Sequence, residues 1–561
     1  MHPSTGPGQA REMTGGMAIV EALIANGVDT LFGLPGAQLY ALFDALQQRR
    51  QAIRTVSARH EQACGYMAFG YARSTGRPGV YAVVPGPGML NTTAALATAL
   101  ACNAPVLCIT GQVPTAFIER GRGHLHELPN QLATLRSLLK WAARIEHPAD
   151  APRVINEAFQ QMLSGRPGPV AVEMAWDSMG SSALVTPLAG AANIAAPVPA
   201  AAEVEAAAKL LVASRRPMIM TGSGAQHASA AVLALAEELA APVAAFRGGR
   251  GVLAEDHELA ISSYAAFGLW PDTDALIGIG TRLEMPYMRW TGMMTLIDRP
   301  PPPPHLIRID IDPAEMHRLM PHAAIVADAE VGTRALLTAI KRLQRPAAGA
   351  AREAWRARIA RAKIAARAEI EKVQPQLAYL DVIRELLPRD GIFVAELSQV
   401  GFTSYFGFPV LAPRSYVSEG YQGTLGFGFP TALGVKIAHP DRVVISVTGD
   451  GGFMFAVQEL ATAIQERIGL VTLLFNNRSY GNVLRDQRTH FANRINGALL
   501  DNPNFMVLAE AFGVKAHRVA SPDELRPVLQ AALGAKGPVL IEVVIAPDSE
   551  ASPWGFIHPK R

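Results

Sequence analysis

Asp450 stands among glycines in GDGG (449–452), and two adjacent asparagines, Asn476 and Asn477, follow the GDG after 24 intervening residues. The run VVISVT (443–448) before the aspartate and LVTLLF (470–475) before the asparagines are apolar and rich in β-branched residues. Such runs mark strands covered on both faces. VQELATAIQ (457–465) between them has its apolar residues at helical spacing. A strand–helix–strand crossover makes the two strands parallel, so both polar ends fall on one carboxyl edge of a sheet, where open α/β sheets bind ligands. Asp450 offers a carboxylate and Asn477 an amide oxygen, which suit a hard cation such as Mg²⁺ that also takes ligand phosphates. Gly449, Gly451 and Gly452 let backbone approach a phosphate closely. A lone GDG is an ordinary glycine-rich turn; its pairing with two asparagines across a full crossover is what points to a phosphate and metal site.

That pairing resembles the diphosphate and Mg²⁺ signature of thiamine-diphosphate enzymes. The resemblance implies Asp450 and Asn477 as metal ligands, with a backbone carbonyl at Ser479 as a third, and Tyr480 and Gly481 beside the cofactor. Enzymes of this kind also need one carboxylate that shares a proton with the pyrimidine ring of the cofactor. In IRTVSARHEQACGYMAFGYA (53–72), Glu61 opens a helix just after a strand-like run, where the helix dipole favours an anion. An isolated first-turn Glu would mean little. Its surroundings, FGLPGAQLYALFDAL (32–46, with Gly36), RHEQACGYMAFGYAR (59–73), VPGPGMLNTTAALA (84–97) and ITGQVP (109–114), resemble in order the pyrimidine-binding domain of acetolactate-synthase-type enzymes. By that resemblance Glu61 is the catalytic Glu. VSEGYQGTLGFGFPTALGV (417–435) resembles the loop that bends the cofactor, with Leu425 as the supporting side chain among Gly423, Gly426 and Gly428, where synthases usually carry Met. Gln399 in ELSQVG stands where the family contacts the diphosphate.

The substrate region departs from the synthase pattern. TAFIERGRGHLHELPNQLATLRSLLKW (115–141) is slightly longer than its counterpart and has His126 and Glu127 where synthases have Gln-Glu. Lys140 matches a family Lys, and Tyr66 replaces a common His. Gln112 of the retained TGQ and His126 are the candidate substrate residues, with His124 a further acid–base candidate because imidazole titrates near neutral pH. Arg120 and Arg122 read as solvated or as a greeting for an anionic substrate. TGSGAQ (221–226), GIGTRLE (278–284) and HLIRIDIDP (305–313) resemble the central domain that binds FAD in synthases and oxidases, or ADP in oxalyl-CoA decarboxylases, with Arg282 as the dinucleotide contact.

The expected fold class is therefore α/β, with three doubly wound parallel-sheet domains. The blocks are a pyrimidine-binding domain over 12–185, a central Rossmann-like domain over 200–345, a connecting helix over 346–376 with a solvated face, a diphosphate-binding domain over 377–550, and a tail over 551–561. An Ala/Pro-rich linker covers 186–202, and PPPPP (300–304) reads as a stiff surface loop. The first and third blocks share a style that the middle one lacks. A length of 561 residues, with 49% hydrophobic and 18% charged, supports large cores and argues against disorder. A net charge of +3 gives no reason to expect nucleic acid. Cys64, Cys102 and Cys108 lie in apolar runs without metal-ligand spacing, which suggests core thiols in a reducing compartment. The first residues lack the pattern of a signal peptide, and no run is long enough to span a membrane, so a cytoplasmic protein is expected.

The implied activity is addition of a 2-oxo acid to thiamine diphosphate with loss of CO₂, the product being protonated or joined to a second carbonyl. Alternatives are cleavage or formation of a C–C bond as in 2-hydroxyacyl-CoA lyases, oxalyl-CoA decarboxylases or benzaldehyde lyases, a flavin-linked oxidase, and a non-catalytic ThDP- or nucleotide-binding protein. The family resemblance also implies a homodimer or homotetramer, because the two ends of the cofactor are held by different chains.

Overall fold

The computed structural model describes residues 8–192, 194–290, 304–343 and 349–560. The opening residues 1–7, most of the PPPPP segment and the first residues assigned to the connecting helix lie outside the described residues.

Three parallel sheets of six strands organise the chain. In the first, the strands lie in the order Arg54–Ser57, Thr30–Gly33, Gly79–Val83, Val106–Gln112, Val170–Ala175, Trp141–Ile145. In the third the order is Tyr416–Val417, Ile392–Ala395, Val444–Gly449, Val471–Asn476, Val539–Val544, Lys515–Val519. Numbered within each sheet by chain position, both read 2-1-3-4-6-5. The middle sheet runs Ala260–Ile261, Val243–Ala245, Pro217–Thr221, Ala275–Ile279, His305–Asp310, Ala323–Val326, which is 3-2-1-4-5-6, the order of dinucleotide-binding folds. A two-stranded antiparallel ribbon, Arg11–Thr14 with Ser182–Val185, ties the start of the first unit to its end. The inner strands Val106–Gln112, Val170–Ala175, Pro217–Thr221 and Ala275–Ile279 are buried at every residue. Helices cover both faces, which is why these strands read as unbroken apolar runs instead of alternating ones.

The first and third units are joined by two helices, Glu61–Thr75 and Gly428–Ala438, that cross at their glycines. A Cβ on Gly70 would lie 2.2 Å from the Thr431 carbonyl oxygen, and one on Gly434 would lie 2.1 Å from that of Met67. Around this crossing Tyr66, Met67 and Phe69 share one core with Phe427, Phe429 and Leu433. The Phe427 ring meets those of Tyr66 and Phe69 edge-on, at 5.6 and 5.5 Å.

The long helix Gly349–Ile370 is not simply solvated. Trp355, Ile359, Ala362 and Ala366 form a stripe buried in the core of the middle unit. Its many Ala and Arg residues hid that stripe, because four apolar contacts in 22 residues barely disturb the average pattern. Cys64, Cys102 and Cys108 are buried free thiols, and burial pushes Cys102 to about 11 and Cys108 to about 12. Among the described residues no helix is long and apolar enough to cross a membrane.

Candidate active site

The carboxyl edge of the third sheet forms a pocket of about 220 Å³ lined by Asp450, Asn477, Gln399, Leu425 and the glycines 449, 451, 452 and 481. Strand Val444–Gly449 ends at Gly449, and the chain turns at once into the short helix Asp450–Phe453, which places the aspartate at the helix start. Asp450 is only 2% exposed. Burial raises its pKa, against a hydrogen bond from Asn502 Nδ2 at 2.7 Å that favours the anion. The neighbouring strand ends at Asn476, so Asn477 arrives beside Asp450 as the crossover requires. Asn477 Oδ1 accepts from the Ser479 N–H and hydroxyl, both at 3.0 Å, and its Nδ2 donates to Glu550 Oε2 at 2.7 Å.

The glycines matter because other atoms occupy the room a side chain would need. A Cβ on Gly451 would meet the Tyr480 ring at 2.5 Å, and one on Gly481 would meet Asn477 Nδ2 at 2.8 Å. The result is a cradle of bare backbone beside a carboxylate and an amide, a donor set that fits a diphosphate bridged by Mg²⁺. Gln399, 6% exposed, begins the helix Gln399–Gly407, and its Oε1 accepts from Arg485 Nη1 at 3.1 Å. Gly423 and Gly426 both have positive φ, at 58° and 76°, and carry Leu425 to the pocket wall on a turn that other residues resist.

Glu61 stands elsewhere. It opens its helix at the carboxyl edge of the first sheet, where its Oε2 accepts from Asn91 Nδ2 at 3.0 Å and its Oε1 faces Gly88. Gly36 presses on Val84 at the same edge, where a Cβ would come within 2.4 Å. No residue of the first unit lines the pocket at the third sheet of the same chain. Gln112, the last residue of its strand, is 3% exposed and engaged in a buried polar network. Its Oε1 accepts from Val113 N at 2.8 Å, and its Nε2 reaches Glu173 at 3.4 Å. Gln131 and Arg144 hold the same Glu173 at 2.9 and 2.7 Å.

His126 has φ of 68°, and its Nδ1 lies 2.9 Å from Oε1 of the buried Gln38, whose Nε2 donates to the Leu125 carbonyl. Glu127 folds the loop on itself, accepting from the backbone of Gly121, Arg122 and His124, and the His124 N–H leads the effects that lower its pKa. The His124 ring lies 4.9 Å from that of Phe117, while Arg120 and Arg122 are exposed. Lys140 precedes the strand Trp141–Ile145 and so sits at the amino edge, away from these groups, with Nζ on the Ser164 carbonyl at 2.6 Å.

A larger cavity, about 360 Å³, opens at the carboxyl edge of the middle sheet. Gly222, Gly224 and Gly280 line it where the strand order reverses, together with Arg282, Asp310 and Asp328. The Arg282 guanidinium lies 4.8 Å over the Tyr421 ring, and its Nη1 donates to the Ala101 carbonyl at 3.1 Å.

Three participants escape a reading of the sequence alone. Glu550 enters the pocket from the segment after the last inner strand, Asn502 reaches Asp450 across 52 residues, and Glu396 lies beneath the Leu425 loop. Glu550 and Asn502 belong to no motif, and Glu396 opens the ELSQVG run in which Gln399 alone is singled out. The tail is docked and not frayed. Trp554 packs on Phe402 at 5.2 Å and donates from Nε1 to Asn482, and Phe556 stacks on Phe406 at 4.9 Å.

Three family models match the chain: the thiamine pyrophosphate enzyme N-terminal TPP binding domain over 13–134, the central domain over 204–340, and the C-terminal TPP binding domain over 398–543. The chain is 36% identical over 547 residues to a probable 2-ketoarginine decarboxylase of Pseudomonas aeruginosa, covering 95% of this chain and 94% of that one. It is 34% identical over 566 residues to a probable acetolactate synthase large subunit of Methanocaldococcus jannaschii, covering 96% and 93%. It is 32% identical over 561 residues to the acetolactate synthase isozyme 2 large subunit of Escherichia coli, covering 98% of each. With a glycine-lined pocket at the third sheet and relatives aligned along nearly the whole chain, the protein belongs to the thiamine pyrophosphate enzymes, as an acetolactate-synthase-like member of their decarboxylase and carboligase class.

Proposed function

We propose that the protein decarboxylates a 2-oxo acid, with thiamine diphosphate and Mg²⁺ held between two copies of the chain, and can join the product to a second carbonyl. When bound, thiamine diphosphate supplies the electron sink for breaking the bond to the carboxylate. Asp450, Asn477 and the Ser479 carbonyl hold the cation, and the glycines 449, 451, 452 and 481 with Gln399 receive the diphosphate. Leu425 supports the body of the cofactor from the pocket wall. Glu61 shares a proton with the pyrimidine nitrogen, a task for which a carboxylate at a helix start is suited. Gln112 and His126 stand at the same sheet edge as Glu61 and address the substrate.

The observation that carries this reading is the separation of the two halves. The diphosphate pocket has no lining residue from the first unit, yet that unit presents Glu61 at its own ligand-binding edge. A second copy that offers its Glu61 edge to this pocket completes the site, which makes a homodimer or a homotetramer the working assembly. The central cavity fits a nucleotide with a diphosphate, FAD or ADP. Its glycines stand at the reversal of strand order, and Arg282 and Asp310 line it beside them. Buried free thiols fit a reducing, cytoplasmic setting.

The test is acid-quench NMR of the cofactor after mixing the protein with thiamine diphosphate, Mg²⁺ and a 2-oxo acid, pyruvate and 2-ketoarginine being tried separately. A substrate-derived cofactor species that is absent with Glu61→Gln supports the proposal and identifies the donor. Bound cofactor that stays unmodified with every 2-oxo acid sinks it and redirects the search to acyloins and 2-hydroxyacyl-CoA thioesters.

A further inference from the structure

Glu396 is a buried carboxylate at the start of the ELSQVG run, with no role assigned to it so far. It directly follows the strand Ile392–Ala395, is 1% exposed, and sits where the strand order of the third sheet reverses. Three donors from two separate elements converge on it. Gly426 N donates to Oε1 at 2.5 Å, the Gly428 N–H adds a second bond, and the Thr448 hydroxyl donates to Oε2. Gly426 and Gly428 flank the end of the loop that carries Leu425, while Thr448 stands two residues before Asp450. Gly452 of the diphosphate turn packs directly on the same carboxylate, since a Cβ there would come within 2.5 Å of Oε1. One side chain thus ties the Leu425 loop to the turn that receives the phosphates, and its own strand leads into Ser398 and Gln399 of the pocket wall.

The two backbone N–H groups can only donate, while the Thr448 hydroxyl can also turn toward the Gly449 carbonyl and accept. An ionised carboxylate receives the N–H bonds of the Leu425 loop with the added strength of its charge, which a protonated one gives up. We propose that Glu396 is the positioning residue that holds the Leu425 loop and the diphosphate turn in their cofactor-binding arrangement while its carboxylate is ionised. The geometry has support from the electrostatics: burial pushes the Glu396 carboxyl up to about 7, against the three hydrogen bonds. The titratable groups that face it are Glu419, whose charge also opposes ionisation, and the phenol of Tyr66 from the helix Glu61–Thr75. The proposal rests on the reading that Leu425 supports the cofactor.

The experiment measures the affinity of thiamine diphosphate, with Mg²⁺ present, by quenching of protein fluorescence between pH 6 and 8. The proteins are wild type, Glu396→Gln, Thr448→Val and Leu425→Ala. The ligand's own titration is common to all four and cancels in the ratios. The ratio of wild-type to Glu396→Gln affinity is expected to rise about tenfold from pH 6 to pH 8. Thr448→Val, which removes one donor to the anion, is expected to move the midpoint of the wild-type curve to higher pH. A ratio that stays constant, or a Glu396→Gln protein that binds like wild type at pH 8, overturns the proposal. Should Glu396→Gln not fold, an unmoved midpoint in Thr448→Val overturns it equally. Leu425→Ala separates the two readings: wild-type affinity in that variant sinks the role of Leu425 alone, whatever Glu396 does.

Discussion

Asn477 donates from Nδ2 to Glu550 Oε2 at 2.7 Å, and this bond decides which end of the amide is which. An asparagine side chain can present either its oxygen or its NH₂ to a neighbour, and only the oxygen can bind a cation. With the NH₂ committed to Glu550, Oδ1 is left to Ser479 and to whatever enters the pocket. Partners of this kind orient metal ligands throughout protein chemistry.

Replacing Glu550 by Ala is accordingly expected to weaken Mg²⁺ binding in the presence of thiamine diphosphate by about tenfold or more. Titration calorimetry, or Mn²⁺ resonance as a substitute, reads this without any turnover. An unchanged cation affinity would show that Asn477 keeps its orientation by Ser479 alone.

Glu61→Gln keeps the shape of the side chain and its bond to Asn91 but removes the exchangeable acid. Turnover is expected to fall by about 10²- to 10⁴-fold, the usual contribution of a positioned acid–base group. Affinity for thiamine diphosphate should change far less, because the diphosphate end is held by another unit. A parallel loss of binding and turnover would instead make Glu61 a cofactor anchor.

The crossing of the helices Glu61–Thr75 and Gly428–Ala438 leaves no room for a side chain at Gly70 or Gly434. Gly434→Val or Gly70→Val must push the helices apart at the core shared by the first and third units. A loss of about 3 kcal/mol or more is expected, at the upper end of overpacking costs because the obstructing atoms are backbone. Denaturant unfolding checks this, and a midpoint within error of wild type would refute the close approach.

His558 anchors the tail on Arg289. Burial, helped by the Arg289 charge, holds its imidazole down to about 4, so it is neutral in the folded protein at neutral pH. An imidazole in the unfolded chain titrates near 6.5, so between about 6.5 and 4 the unfolded state binds more protons than the folded one. Tail docking is therefore complete above pH 6.5 and weakens as pH falls toward 4. Proteolysis at the C-terminus across that window should accelerate on acidification in wild type and respond less in His558→Gln. Equal slopes in both proteins would remove His558 from the explanation.

The amino-acid sequence by itself determined the family, the cofactor, the three parallel-sheet units, and Asp450 and Asn477 as neighbours. It could do so because a parallel crossover converts spacing along the chain into position at one sheet edge, and because fully buried strands announce themselves as apolar runs. The glycines were legible for the same reason, being residues whose absence of a side chain is itself the feature. Only the tertiary structure decided the rest. Glu550 and Asn502 meet the site through folding of distant segments, Glu396 finds its partners Gly426 and Thr448 the same way, and an isolated Glu or Asn has no local pattern that says so. The stripe of the helix Gly349–Ile370 and the docking of Trp554, Phe556 and His558 became visible only when the surfaces they cover were in place. Glu61 and Asp450 already belong to different domains by sequence, and the tertiary structure adds the edge of the sheet at which each one stands, because each sheet presents polar residues at its own carboxyl end.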